Sequence, residues 1–183
     1  MRIVVGLTGS SGAIFGVEFL KHCPNDKYLI LSEWGEKVLQ IEVGMTKKEL
    51  EPYVKKIFPD TDLASPFSSG SNPFDAFVII PCSISTLAKI AAGISDTLIT
   101  RVAQVALKER RRMVVALRET PLPTSALENS LKLSREGVVV MPISPPWYKN
   151  PESMEESVVG FVNKVLRVIG VSVPGGWREE ELL

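Results

Sequence analysis

The sequence predicts an α/β fold built on a parallel β-sheet with helices on both faces. Short apolar runs rich in Val and Ile alternate with longer segments of helical periodicity along the chain, which is the pattern of repeated strand–helix units. The apolar runs are also too short to be buried helices. In sheets of this kind ligands bind beyond the carboxyl ends of the strands, so the segments that follow the predicted strands are the first places to look for a site.

Each element follows from these patterns. The strands are predicted at Arg2–Leu7, Tyr28–Leu31, Phe74–Ile80, Arg112–Leu117 and Gly137–Met141. The helices are predicted at Gly12–His22, Gly35–Val43, Lys47–Phe58, Ser83–Ala92, Thr97–Lys108, Ser125–Arg135 and Ser153–Ile169. The serine-rich segment Pro59–Pro73 is predicted to be a loop.

Length, charge and composition exclude several classes of protein. A chain of 183 residues with 45% apolar content suits one domain over residues 1–183. The 21 basic and 21 acidic residues balance, so neither nucleic acid nor an anionic membrane is an expected partner. No apolar run reaches the roughly 18 residues of a membrane span. Cys23 and Cys82 lack metal-ligand spacing and His22 is the only histidine, so we expect no metal site and a reducing, cytoplasmic location.

A glycine-rich turn, Gly6–Gly12, follows the first predicted strand. Its glycines are three residues apart, which lets the backbone approach a phosphate at the start of the next helix. Nicotinamide-dependent reductases share this spacing, and Glu33 lies about where their ribose-binding acid would be. A Walker-type loop is excluded because no Gly-Lys-Ser/Thr follows. A phosphate loop, a reductase loop and a plain strand-to-helix turn all remain open.

The segment Pro81–Gly93 carries the strongest chemical signal. It places the hydroxyl groups of Ser83, Ser85 and Thr86 at the start of a small-residue helix, beside backbone N–H donors that can hold an anion. A helix cap needs only one hydroxyl, so this cluster indicates hydrogen bonds to a polar ligand such as a flavin. Cys82 is interpreted as an inert buried thiol, because no histidine is placed to activate it.

Charged residues at two further places are candidates for binding an anion. Arg101 and Lys108 are seven residues apart on one predicted helix, so they share a face and can both reach one anion. Arg118 and Glu119 follow an apolar strand, where the guanidinium fork suits a phosphate and the carboxyl group suits proton transfer. A solvated helix face and a local Arg–Glu pair are the alternatives.

Aromatic residues near the C-terminus have two interpretations. Pro145–Tyr148 is a rigid loop that either packs on the core or walls a pocket for an apolar ligand, with the Tyr148 hydroxyl as its polar end. Trp177 either covers a pocket or lies in a frayed tail.

Five sequence segments, taken together, are specific for one family. They are Leu7–Ala13, Pro81–Gly93, Leu107–Arg111, Arg118–Leu122 and Pro146–Tyr148. In their order and spacing they resemble the UbiX-type flavin prenyltransferases, and the resemblance covers nearly the whole chain. It implies a flavodoxin-like Rossmann fold, a three-layer sandwich around a parallel sheet, and assembly as a homododecamer.

The resemblance also implies a reaction. A dimethylallyl group would pass from dimethylallyl monophosphate to N5 and C6 of reduced FMN, and the product, prenylated FMN, would serve UbiD-type decarboxylases. Positive side chains rather than magnesium would neutralise the departing phosphate. The sequence agrees, because it lacks the clustered aspartates that hold magnesium in diphosphate-using prenyltransferases; Asp60 and Asp62 are the nearest pair.

The family's positions assign roles to residues of this chain. The residues on FMN-binding positions are Gly9, Ser10, Ser11, Ser32, Ser83, Ile84, Ser85, Thr86 and Arg118. Those on positions that hold the dimethylallyl phosphate are Tyr148 and Lys164. The catalytic set is Arg101, Lys108, Glu119 as proton carrier, and Glu42 reaching from a neighbouring subunit. The chain departs from the family at Gln104 for Asp, Trp147 for Phe and Lys164 for Arg, and the last change loses a bidentate fork.

Three alternative functions stay open. A nicotinamide-dependent reductase would need a Tyr-x-x-x-Lys pair, but the residue four after Tyr148 is Glu152. An FMN-dependent cysteine-decarboxylase-like enzyme would need a catalytic histidine and a Pro-x-Met-Asn string, whereas this chain has only His22 and reads Pro81-Cys82-Ser83. A non-catalytic flavin-binding module would bind FMN without forming an adduct.

Overall fold

Six strands form one parallel sheet in the computed structural model, which describes residues 1–174, 176–178 and 181. The strands are β1 Arg2–Leu7, β2 Asp26–Leu31, β3 Lys56–Pro59, β4 Ala76–Cys82, β5 Arg112–Leu117 and β6 Val139–Pro142. Their order across the sheet is β3-β2-β1-β4-β5-β6. Without the short edge strand β3 this is the flavodoxin order, and with it the order of the dinucleotide-binding Rossmann sheet. The predicted fold class is confirmed.

Helices connect the strands. They are α1 Ala13–His22, α2 Glu33–Val43, α3 Lys47–Leu50, α4 Ile84–Ala91, α5 Leu98–Lys108, α6 Thr124–Arg135 and α7 Met154–Val168. Single 3₁₀ turns lie at Glu51–Tyr53, Pro66–Ser68 and Trp147–Lys149.

Two hydrophobic cores lie on the two faces of the sheet. Ile3 and Val5 of β1 pack with α1, α2 and α7 on one face. Val4 of the same strand packs with α4, α5 and α6 on the other. Because both faces of β1 and β4 are covered, their sequences are almost continuously apolar instead of alternating. This is the predicted three-layer sandwich; that residues 1–183 form one domain stays a prediction, since the chain's last residues lie partly outside the described part.

The prediction of one helix over Lys47–Phe58 is wrong. The helix ends at Leu50, a 3₁₀ turn follows, and Lys56–Pro59 pairs with β2 as an edge strand. The physical reason is Pro52, which has no N–H to donate and whose ring clashes with the carbonyl group four residues earlier, so an α-helix cannot pass through it.

The strand order reverses between β1 and β4, and in sheets of this kind the ligand crevice lies at that point, beyond the carboxyl ends of the strands. The loop after β1 leads to α1 on one face of the sheet, and the loop after β4 leads to α4 on the other. The strand β4 also continues through Pro81 to Cys82, with a register shift against β5 between Ile79 and Cys82, so Pro81 does not end the strand as predicted.

Candidate functional site

Thr8 links the loops that follow β1 and β4 through hydrogen bonds. Its hydroxyl group donates to the Pro81 carbonyl oxygen at 2.9 Å and accepts from the Ser83 N–H at 3.0 Å, and only 3% of the residue is exposed. A buried hydroxyl with both a donor and an acceptor partner is held in one orientation. Thr8 was not among the predicted site residues, because a threonine in a glycine-rich turn carries no sequence signal for a bond 73 residues away.

Ser10 links the turn after β1 to the end of β5 through a hydrogen bond. Its hydroxyl group donates to the Arg118 carbonyl oxygen at 2.8 Å, and the Arg118 N–H in turn donates to the Cys82 carbonyl oxygen at 3.1 Å. The segments that end β1, β4 and β5 are therefore joined, and they form one wall of polar groups at the carboxyl edge of the sheet. This is the convergence that the sequence predicted for these three segments.

The hydroxyl cluster after β4 divides into two parts. Ser83 caps α4: its hydroxyl accepts from the Thr86 N–H at 3.2 Å and donates to the Thr86 hydroxyl at 3.1 Å. Ser85 is exposed and forms no hydrogen bond within the described residues. The cap leaves the N–H groups of Ile84 and Ser85 as donors at the start of the helix. One hydroxyl and two backbone donors therefore face outward from this loop.

Cys82 is not a nucleophile in this arrangement. Its side chain is fully buried, and burial raises the pKa of the thiol far above its ordinary value, so the thiolate does not form near neutral pH. The thiol donates to the Ser83 carbonyl oxygen, 3.4 Å away.

Gly9 and Ser32 shape the first turn. The Ser32 hydroxyl caps α2 by accepting from the Gly35 N–H at 2.9 Å, so the hydroxyl is already engaged. A Cβ atom at Gly9 would lie 2.4 Å from the Trp34 Cβ, which shows that only glycine fits against α2 here. The Trp34 side chain itself is 66% exposed, with the Lys37 ammonium 4.4 Å from its ring centre.

Glu42 occupies the N-terminus of α1 in its own chain. Its Oε2 accepts from the Gly12 and Ala13 N–H groups at 2.7 and 3.0 Å. Partial burial raises the carboxyl pKa, but the Ser11 hydroxyl, these N–H groups and the Arg118 charge together lower it below the ordinary value. The N-terminus of α1, which the sequence predicted as a phosphate site, is therefore occupied by the Glu42 carboxylate of the same chain. A contact of Glu42 with a neighbouring subunit stays a prediction.

Arg118 and Glu119 lie at the mouth of the crevice without pairing to each other. Both are exposed, and Glu119 accepts only from the Thr120 N–H, at 3.0 Å. No ion pair of Arg118 occurs in the part of the chain that the structure describes. The alternative of a local Arg–Glu pair is thus excluded, and the guanidinium is open to a ligand.

Tyr148 and Trp177 pack together beside the end of β6. Their rings meet edge to face with centroids 5.4 Å apart, while Tyr148 remains 50% exposed. The loop that carries Tyr148 packs against α7. Gly160 of α7 lies so close to Pro146 that a Cβ atom on Gly160 would be 3.2 Å from the Pro146 Cγ. Lys164 follows one turn after Gly160 on the same helix face and is exposed. Trp177 is therefore placed against a predicted substrate residue.

Arg101 and Lys108 do not converge on one anion. Arg101 donates to the Ser68 carbonyl oxygen at 3.0 Å, whereas Lys108 forms an ion pair with Glu109 at the other end of α5. Seven residues along a helix separate them by about 10 Å. Lys108 lies at the amino edge of the sheet, next to Asp75 and Arg112, and thus on the opposite side from the crevice. Arg101 and Lys108 lie on one helix face, and their part in binding an anion stays a prediction.

The described residues show neither a bilayer-spanning helix nor a metal cluster. No helix among them combines the length and hydrophobicity needed to cross a membrane. No three His, Cys, Asp or Glu side chains in this part of the chain are grouped to hold a metal ion.

Comparison with known proteins places this molecule in a class. A sequence profile described as Flavoprotein matches residues 1–169, and the chain belongs to that family. Within it, the chain is 48% identical over 172 residues to the flavin prenyltransferase UbiX of Thermoplasma acidophilum, which covers 93% of this chain and 96% of the relative. It is 39% identical over 173 residues to the flavin prenyltransferase UbiX of Methanocaldococcus jannaschii, with 93% and 94% covered. The resemblance seen in the sequence is confirmed.

Solved structures agree. The crystal structure of AnUbiX in complex with FMN and dimethylallyl pyrophosphate has a TM-score of 0.90 at 34% identity, covering 97% of this chain and 98% of that one. A dodecameric FMN-dependent Ubix-like decarboxylase from Escherichia coli O157:H7 has a TM-score of 0.92 at 38% identity, with 97% and 99% covered. The cysteine decarboxylase TvaF, at 20% identity and a TM-score of 0.63, shares the fold alone.

Proposed function

We propose that this protein is a flavin prenyltransferase. It transfers a dimethylallyl group from dimethylallyl monophosphate to N5 and C6 of reduced FMN and releases prenylated FMN and phosphate. The observation that carries the proposal is the crevice joined by Thr8 and Ser10, which presents polar donors at the carboxyl edge of the sheet, in a chain 48% identical to a flavin prenyltransferase.

The residues at the crevice fit FMN. They offer the Ser85 hydroxyl, the N–H groups at the start of α4 and the unpaired Arg118 guanidinium, which are donors for the polar edge and phosphate of a flavin. Bound reduced FMN supplies the nucleophilic nitrogen and carbon atoms of the reaction. The residues proposed to bind FMN are Gly9, Ser10, Ser11, Ser32, Ser83, Ile84, Ser85, Thr86 and Arg118.

Cationic side chains hold the phosphate that departs. The Lys164 ammonium and the neutral Tyr148 hydroxyl bind it, since both residues are exposed and Lys164 lies one turn after Gly160, which packs against Pro146 of the Tyr148 loop. Phosphate is a poor leaving group, so neutralising its charge lowers the barrier; one preorganised electrostatic contact is typically worth roughly 10²- to 10³-fold in rate.

Arg101 and Lys108 serve the crevice of a neighbouring copy. Both are exposed, and Lys108 lies at the amino edge of the sheet, so an intermolecular role is the one that joins Lys108 to a crevice. A structural relative is a dodecamer, and the same homododecameric assembly is proposed for this chain. Glu42 is proposed to contribute likewise across a subunit boundary.

Glu119 carries a proton to the phosphate. Its carboxyl group stands at the mouth of the crevice next to Arg118, with only the Thr120 N–H as a partner, so it is free to exchange a proton with a bound ligand. The product is proposed to pass to a UbiD-type decarboxylase. The cytoplasm is the proposed location, because Cys23 and Cys82 are both free buried thiols.

The position of His22 disfavours the cysteine-decarboxylase alternative. It is the chain's only histidine and the last residue of α1, where its Nδ1 lies 2.9 Å from the Glu18 carbonyl oxygen. The end of α1 lies at the amino edge of the sheet, so no histidine reaches the crevice.

Mass spectrometry of the extracted flavin tests the proposal. Full-length protein is mixed with reduced FMN and dimethylallyl monophosphate without metal, and the flavin is expected to gain one C5H8 unit. Glu119→Gln removes the proton carrier and should slow product formation by at least about 10²-fold. Glu128→Gln, an exposed residue of α6 without a partner in the described chain, should retain the wild-type rate. Bound but unmodified FMN would instead support the binding-module alternative.

A further inference from the structure

The chain reverses at the end of α7 and turns back toward the candidate site. The Gly170 N–H donates to the Arg167 carbonyl oxygen and the Val171 N–H to the Leu166 carbonyl oxygen, both at 2.9 Å. Gly170 has a left-handed φ of 86°. These two bonds around a left-handed residue form the Schellman motif, which ends a helix and redirects the chain. Val171 is then buried in the core on the α7 face of the sheet.

Arg167 holds the segment that follows this turn. Its guanidinium donates from Nε to the Val173 carbonyl oxygen at 3.3 Å and from Nη2 to the Pro174 carbonyl oxygen at 2.6 Å. Two N–H groups of one planar fork therefore bind two consecutive carbonyl groups. Arg167 forms no ion pair within residues 1–174, 176–178 and 181, so its charge is met by these carbonyl oxygens.

Capping of α7 does not account for Arg167. An arginine in the last turn of a helix commonly stabilises the free carbonyl groups of that helix. Here backbone N–H groups after the helix already bond the carbonyls of Val165, Leu166 and Arg167. The guanidinium instead reaches past the turn, to residues that lie outside α7. Its contacts therefore order the returning segment and not the helix end.

The returning segment has a second contact, at the Tyr148 loop. Trp177 meets Tyr148 edge to face and remains 67% exposed. Two glycines separate Trp177 from Pro174, so Arg167 anchors the chain only three residues before this ring contact. Because three residues span at most about 11 Å, anchoring Pro174 confines Trp177 to the neighbourhood of Tyr148. The entropic cost of bringing the two rings together is correspondingly small.

Both contacts lie on the face of α7 that carries Lys164. Gly160, Lys164 and Arg167 are spaced four and three residues apart, so they share one face of the helix. Gly160 packs against the Tyr148 loop, and Arg167 holds the returning segment. Gly160 and Arg167 are about 10 Å apart along the helix, with Lys164 between them. The returning segment therefore ends at the surface that Tyr148 and Lys164 share.

We propose that Arg167 is a positioning residue of the substrate site: it fixes the C-terminal segment along α7 and so holds Trp177 against Tyr148. The inference rests on the proposed function, in which Tyr148 and Lys164 bind the dimethylallyl phosphate. Arg167 acts through Trp177 and does not itself touch the substrate. Loss of its two hydrogen bonds releases the segment, Trp177 leaves Tyr148 more often, and dimethylallyl monophosphate binds less tightly. FMN binding is unaffected, because the loops after β1, β4 and β5 are unchanged.

Chymotryptic cleavage after Trp177 tests whether Arg167 holds the segment. Full-length, FMN-loaded protein is digested briefly, and mass spectrometry identifies the cleaved bonds. Arg167→Gln should be cleaved there at least about 5-fold faster than the wild type, because cleavage requires the segment to open and charge-assisted hydrogen bonds no longer oppose opening. Arg135→Gln, which removes an equal charge from the end of α6, should be cleaved at the wild-type rate. Cleavage at other bonds should be unchanged in both variants.

Steady-state kinetics test whether the segment serves the substrate site. Arg167→Gln and Trp177→Ala should each raise the KM for dimethylallyl monophosphate about 3- to 10-fold, the equivalent of one aromatic contact, with a smaller change in kcat. The double variant should have no larger KM than Trp177→Ala alone, because Arg167 acts through Trp177. Arg135→Gln should keep the wild-type KM, and all variants should retain FMN.

Four results would overturn the inference. They are unchanged cleavage after Trp177 in Arg167→Gln, faster cleavage of that variant at every bond, an unchanged KM in that variant, and KM effects of Arg167→Gln and Trp177→Ala that multiply. Absence of prenylated FMN with the wild type would contradict the proposed function instead. The digestion needs no turnover, so it would still decide whether Arg167 holds the segment.

Discussion

The two edges of the sheet hold their polar side chains differently. At the carboxyl edge, Thr8 and Ser10 are buried, and their hydroxyl groups form hydrogen bonds to neighbouring loops. At the amino edge, the side chains of three exposed arginines form no hydrogen bond or ion pair within the described residues; they are Arg110, Arg112 and Arg135. Removing one of the buried hydroxyl groups at the carboxyl edge should lower the free energy of unfolding, because a buried donor or acceptor is then left unpaired. The arginines at the amino edge contribute little to stability, since exposed charges are already solvated. One edge is therefore held in place by buried hydrogen bonds, whereas the charges of the other are solvated.

The largest difference between the edges should come from Thr8→Val. The change keeps the volume but leaves the Ser83 N–H without its acceptor, and we expect the free energy of unfolding to fall by about 3 kcal/mol. Urea unfolding measures this. Thr8→Ser retains the hydroxyl and should lose much less; equal losses in the two variants would mean that the methyl group, not the hydrogen bonds, supports the loops.

Ser10→Ala should have a smaller effect at the same edge. It removes the hydrogen bond to the Arg118 carbonyl oxygen, and we expect a loss of about 1.5 kcal/mol in the free energy of unfolding. The matched control is Ser85→Ala, an exposed serine in the same wall, which should change stability by less than about 0.5 kcal/mol. If both serines cost the same, the two loops are not joined through Ser10.

Glu42→Gln should cost about 1 kcal/mol near pH 7, since a charged cap at the N-terminus of α1 is replaced by a neutral one. The folded pKa of Glu42 lies below its unfolded value of about 4.3. Its contribution is therefore fully present above that unfolded pKa and is lost as pH falls through the folded pKa.

The difference between wild type and Glu42→Gln should accordingly be constant from pH 7 to about pH 5 and shrink at lower pH. Unfolding curves at several pH values measure it, with Glu128→Gln as the control for an exposed carboxylate. A difference that persists unchanged at pH 3 would show that the charge of Glu42 does not stabilise α1.

The smallest effect is expected at the amino edge. Arg135→Gln removes an exposed charge without a partner, so the free energy of unfolding should change by less than about 0.5 kcal/mol. Thermal or urea unfolding measures this. A loss as large as that of Ser10→Ala would contradict the contrast between the two edges.

The hydrophobic pattern along the sequence predicted most of the strands and helices, and the one missed strand has a local cause. Five strands were located to within two residues at either end, because buried parallel strands are continuous apolar runs. The strand Lys56–Pro59 was missed inside a supposed helix, although Pro52 marked where that helix must end. A four-residue edge strand carries too few residues to show a period of its own.

The candidate site was less predictable. The sequence pointed to the loops after β1, β4 and β5, since hydroxyl groups, glycines and Arg118 follow apolar strands there. It did not reveal that Thr8 joins two of these loops, or that Glu42 fills the end of α1. Both contacts depend on groups distant in sequence, and nothing in the local pattern encodes their distance.

By itself, the sequence determined the α/β class, the positions of most strands and helices, and the family, because hydrophobic periodicity and short motifs are properties of neighbouring residues. Only the tertiary structure decided the order of the strands, which loops share a wall, and that Lys108 lies at the amino edge, away from its own crevice. The physical reason is that strand pairing and side-chain contacts join segments tens of residues apart, and their geometry exists only once the two cores have packed around the sheet.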